Sequence, residues 1–133
     1  MPDPIKNLDE AIDAVEAAYE FMLAYAAQGR RRDDDDSGSG IRERLTRAAE
    51  ALDIIAGGGL DWTAVVAGAG AGGADFLKQA QQDAGRARAA IGFVLSRPTI
   101  GSQIIDNLNA TSHMRTLLTD LFLLDEALKI SGV

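Results

Sequence analysis

The chain has 133 residues, 47% of them hydrophobic but only 5% aromatic, with no cysteine and a formal net charge of −7. That length fits a single domain, residues 1–133, able to bury about two-thirds of its unfolded surface. The missing cysteines exclude disulfides, thiolate metal sites and cysteine nucleophiles, and the acid surplus disfavours nucleic acid and anionic membranes as partners.

With so few aromatic residues, the core has to be built from Leu, Ile, Val and much Ala, so its elements must approach closely. The start, "MPDPIKNLDEAIDAVEAAYEF", lacks the basic and uninterrupted apolar regions of a secretory signal. The longest uncharged small or apolar run, Trp62 to Ala74, falls short of the ~18 to 20 residues that span a bilayer. The expectation is a soluble, cytoplasmic protein. Ten arginines against three lysines, with much Ala and Gly, fit a GC-rich bacterial source.

In chain order, residues 5–28 read as a helix. Ile5, Leu8, Ile12, Val15, Tyr19, Met22 and Ala26 alternate steps of three and four, the seam of a bundled helix. Asn7 or Asp9 is placed to cap it and Gly29 to stop it. Asp9, Asp13, Glu16 and Glu20 repeat the spacing on another face, so one face is core and one is acid. "GRRRDDDDSGSG" follows at 29–40, and its 30–40 portion reads as a flexible charged Ser/Gly loop. The second helix, 41–56, is carried by Ile41, Leu45, Ala48, Leu52 and Ile55. Residues 57–74 read as a Gly-rich connection or a short extra helix, with Asp61 as its N-cap and Trp62 plugging one end of the core.

The third helix, about 75–97, presents Leu77, Ala80, Ala84, Ala87, Ile91 and Val94. Gly85, Ala89 and Gly92 lie nearby, so a close neighbouring helix is expected. Asp75 is a candidate cap, and Pro98 closes the helix. The fourth, about 101–130, is the greasiest, its seam of Ala110, Met114, Leu117, Leu121, Leu124 and Leu128 widened by Ile104, Ile105, Leu108, Leu118 and Phe122. No segment alternates apolar and polar residues long enough for a sheet. The fold class expected is all-α, an antiparallel four-helix bundle. Because the fourth helix is apolar over more than one bundle side requires, Ile104, Leu108, Leu118 and Phe122 are interface candidates, with the acidic residues Asp9, Asp13, Glu16 and Glu20. The simplest assembly is a homodimer.

Gly68, Gly70 and Gly73 within "VVAGAGAGGADF" spell G-x-G-x-x-G. A dinucleotide site needs a buried strand before that motif and an acid about twenty residues after it. Here Asp61, Trp62 and Thr63 interrupt the apolar run, and "IGFVLSR" occupies the distant position without an acid. Gly73 is followed by Ala74 and Asp75, so the lysine of a phosphate loop is missing too. The glycines read as small-residue packing, and no cofactor is expected.

Other chemistry finds little support. His113, the only histidine, sits in "SHMRTLL". The chain is similar to histidine phosphotransfer domains in length and helical class, but Met114 and Thr116 stand where those domains place a helping Lys and Gly. A di-metal carboxylate bundle needs Glu-x-x-His pairs, whereas Ala110 stands three residues before His113, so no metal is expected. Ser102, Ser112 and Ser131 have no base placed by sequence. Paired carboxylates can be nominated anywhere on an acidic chain, so none is. Arg30, Arg31 and Arg32 are cancelled by four adjacent aspartates, with no aromatic residue for stacking. The leading expectation is a non-enzymatic interaction or accessory protein that self-associates or docks on a larger protein. The alternative is a small-molecule-binding bundle whose cavity lies near Tyr19, Tyr25, Trp62 and Phe93, and a phosphotransfer-like bundle comes third.

Overall fold

A computed structural model describes residues 5–32, 40–57 and 72–130. Among these residues there are five helices and no strand: α1 (Leu8–Ala26), α2 (Ile41–Gly57), α3 (Gly73–Leu95), α4 (Ser102–Ala110) and α5 (His113–Ile130). The readings made for Asp61, Trp62, Gly68, Gly70 and Ser131, and for most of the 30–40 loop and the 57–74 connection, lie outside the described residues.

Local chemistry sets the helix ends. The Asn7 side chain accepts from the Glu10 N–H at 2.9 Å and caps α1, leaving Asp9 and Glu10 in a first turn that favours negative charge. Gly29, at φ +68°, reverses the chain after α1 in a conformation that favours glycine. Asp75 is not the cap of α3. Gly72 holds that position, and Asp75 lies inside the first turn, where it complements the helix dipole. The carboxyl end of α3 carries no basic residue of its own. Arg42 of α2 supplies one, donating to the carbonyls of Leu95, Arg97 and Pro98 at 3.2, 2.8 and 3.0 Å. At the far end Gln81 Nε2 returns the favour to the Ile55 carbonyl of α2 at 3.3 Å.

The helices pack in a ring. α1 lies on α2, α2 on α3, α3 on α5 and α5 on α1, while α4 fits beside α5 between α1 and α3. The backbone of α2 does not come within 8 Å, Cα to Cα, of α4 or α5, nor that of α1 within 8 Å of α3. Every apolar seam residue expected of α2 and α3 is buried, and α2 adds Ala49 and Ala51. In α1 the stripe is turned: Ala11, Ala18 and Tyr25 are buried with Ile12, Val15 and Met22, while Leu8, Tyr19 and Ala26 sit half-buried on its flank.

The single helix expected at 101–130 is two helices. Ser112 adopts φ +63°, which breaks the helical path. Thr111 Oγ1 and the Thr111 N–H both donate to the Leu108 carbonyl, at 2.7 and 3.2 Å, and the Ser112 N–H donates to Asn109. Ala110, expected in the seam, is exposed at this joint. Gly85 is exposed as well, with no atom within 4 Å of where a Cβ would stand, so no neighbouring helix uses it.

Candidate functional site

α1 and α5 leave a surface groove of about 340 Å³ between them. Tyr19 and Leu23 line it from α1, and Leu118 and Phe122 from α5. Glu16 and Glu20 form one lip and Arg115 the other. Leu23 is 44% exposed and Phe122 47% exposed, so two large apolar side chains are left half open to solvent within one groove. Arg115 donates to the Ser112 hydroxyl at 3.3 Å, and among the described residues no ion pair joins it to the acidic lip.

This placement divides the interface candidates. Leu108 and Leu118 do not spill out of the monomer: they are 5% and 4% exposed and belong to the chain's own core. Ile104 is half-buried against that core. The extra apolar width seen in residues 101–130 serves two short helices that must each cover part of α1 and α3. Phe122 is exposed, as an interface residue has to be. Asp9, Asp13 and Glu20 are exposed and Glu16 half-buried, but only Glu16 and Glu20 border the groove.

The proposed aromatic cavity is not assembled by the described residues. Tyr25 is 1% exposed, and its hydroxyl donates to the Ile100 carbonyl at 2.5 Å, so it is a core strut. Phe93 is 63% exposed on the surface of α3, and Tyr19 belongs to the groove. His113 opens α5 half-buried, away from the groove. Ser102, considered above as a nucleophile, is buried as a structural tie. Its Oγ donates to the Tyr25 carbonyl at 2.6 Å and accepts from the Arg30 N–H at 2.8 Å, while its own N–H donates to the Arg30 carbonyl at 2.7 Å.

One feature went unnamed at the level of sequence: Asp83 of α3 and Asp120 of α5 face each other across the seam of those helices, close enough for one carboxyl to act on the other. Asp120 Oδ2 is shut from solvent without a hydrogen-bond partner. Burial, then the hydrogen bond and the charge of Asp83, push the Asp120 carboxyl up to about 7. The available signal was position. Asp120 falls between Leu117 and Leu124 on the apolar stripe of α5, and Asp83 between Ala80 and Ala87 on that of α3.

Among the described residues no three or more His, Asp or Glu side chains are gathered to hold a metal ion. No helix among them is long and apolar enough to cross a membrane. Comparison of the chain with known protein families, with curated proteins and with solved structures finds no match.

Proposed function

We propose that the chain is a non-enzymatic interaction protein that associates with a second copy of itself through the α1–α5 groove. The observation that carries this reading is the combination of exposed apolar side chains with lips of opposite charge. A two-fold interface sets residue i of one copy against residue j of the other and j against i. Laid across the groove, a second copy therefore brings Glu16 and Glu20 of each chain toward Arg115 of its partner. Leu23 and Phe122 are 44% and 47% exposed, so covering each supplies roughly half of the ~1.5–3 kcal/mol of full burial, and the crossed charges set the register.

In this reading the helices form an antiparallel bundle of four positions, the last shared by α4 and α5. Two opposed sets of contacts support it. Arg42 lies near Leu95 and Ile55 near Gln81 along α2 and α3, and Asp83 meets Asp120 while Leu77 packs in one cluster with Leu124 along α3 and α5. An acidic surface argues against nucleic acid as the partner, and a cysteine-free chain suits the cytoplasm we assign it to.

Light scattering of the wild type at high concentration is expected to give twice the 14.0 kDa chain mass. Phe122→Asp is expected to return the monomer with an unchanged helical circular-dichroism spectrum. Arg115→Glu weakens the dimer, and adding Glu20→Arg to the same chain restores it. A particle that stays at 14.0 kDa refutes self-association and leaves the groove to a different occupant. A Phe122→Asp chain that unfolds makes that ring part of the core and removes the interface.

A further inference from the structure

The seam between α3 and α5 is apolar on both sides of the Asp83–Asp120 pair. On one side lies the main core, to which Ala84, Ala87, Leu117 and Leu121 belong. On the other side Leu77, Ala80 and Leu124 form a separate small cluster, with Phe76 packed against it. The carboxyl pair thus stands between the core and the far end of the seam. Two ionised carboxylates in contact repel, whereas one proton between them makes one a donor and the other an acceptor. Arg86 donates to Asp83 at 2.7 Å and stabilises charge there, which leaves the proton on Asp120.

We infer that Asp83 and Asp120 form a proton-held latch that keeps the Phe76–Leu77–Ala80–Leu124 end of the α3–α5 seam closed and releases it when the proton leaves. The latch works within one chain and needs no second copy. The charged groups around it are few. α3 brings Asp83 and Arg86 to the seam. α1, on the other flank of α5, brings Glu16 and Glu20, which border the groove with Arg115. α4 brings Asp106, which lies near Arg30 and Arg31. On α5 itself, His113 stands about two turns before Asp120 and Asp125 about one turn and a half after it. Of all these, Asp83 is the group that acts on the Asp120 carboxyl.

The sign follows from proton counting. Opening the seam exposes Asp120 to water, where its carboxyl returns from about 7 toward 3.8. Between those values the closed form holds a proton that the open form lacks. Closure is therefore firmest at low pH, weakens as pH rises toward 7 and levels off above it.

The test is amide hydrogen exchange at Leu77–Ala80, corrected for the intrinsic chemical rate, followed from pH 5 to 8. Protection there is expected to fall by up to about tenfold per pH unit until pH 7 and then flatten, while Ala48–Leu52 of α2 show no such fall. Asp120→Asn, whose amide donates to Asp83 without a titrating proton, is expected to abolish the slope. His113→Gln is expected to keep it. Should Asp120→Asn fail to fold, Asp83→Asn, which removes the neighbouring charge and lets an amide donate to the Asp120 carboxylate, is expected to move the flattening point to lower pH. Wild-type protection that does not change with pH overturns the latch. So does an Asp120→Asn variant that retains the wild-type slope, an Asp83→Asn variant whose flattening point stays at the wild-type pH, or a His113→Gln variant that loses the slope.

Discussion

Ser102 satisfies three backbone groups at once: the carbonyl of Tyr25 and both the N–H and the carbonyl of Arg30. Its neighbour has to be glycine for a steric reason. A Cβ on Gly101 would stand 2.7 Å from the Arg31 carbonyl oxygen and 3.0 Å from that of Arg30, both backbone atoms that cannot swing aside. Gly101→Ala is accordingly expected to destabilise by about 1–3 kcal/mol through overpacking. Ser102→Ala is expected to cost about 1–3 kcal/mol by removing the hydroxyl's two hydrogen bonds, to the Tyr25 carbonyl and from the Arg30 N–H. Urea denaturation measures both, and a wild-type midpoint for either would remove the tie from the account. None of this was legible in "TIGSQ", because a serine's partners 72 and 77 residues away leave no trace in local spacing. Asp120 is the opposite case. An acid inside an apolar stripe is visible in the sequence, and its significance depends on finding a second acid opposite it.

At the scale of the helix, periodicity was readable where a single unbroken apolar stripe faces the core. α2 and α3 bury the residues whose spacing announces them. α1 was harder, since hydropathy ranks Leu8 and Tyr19 above Ala11 and Ala18, whereas a close helix contact favours the small residues. The joint at Thr111–Ser112 was hidden for another reason. Neither residue is a glycine or proline, and the apolar pattern runs through the break because both short helices face the same core. Gly85 misled in the other direction, since a glycine among alanines suggests close packing, yet this one looks into open space. Gly85→Ala is expected to raise stability by about 0.5–1 kcal/mol by removing backbone freedom from the unfolded chain, read as a higher urea midpoint at unchanged slope. A destabilised variant would mean that some element does approach that face. In the groove, the acidic lip and Phe122 were legible from spacing, whereas Leu23 and the placing of Arg115 opposite the acids emerged only from the packing of α1 on α5.

At the scale of the molecule, the main apolar core among the described residues draws on α1 to α5 and on Ile5 and Ile100 between or beside them. Shared burial of that kind couples the elements, so unfolding is expected to be all-or-none. Far-ultraviolet and near-ultraviolet circular dichroism should report the same urea midpoint at pH 6, and separate midpoints would show that part of the ring melts on its own. The ring also has an order of completion. The Tyr25 hydroxyl finds its Ile100 acceptor, and the Tyr25 carbonyl its Ser102 donor, across separations of 75 and 77 residues. Closing so long a span carries an entropic cost that local helix contacts do not. A ribosome that has delivered the polypeptide only as far as the end of α3 has therefore made a chain in which Tyr25 has yet to meet Ile100 and Ser102, and this part of the architecture is finished only after α4 has begun to emerge.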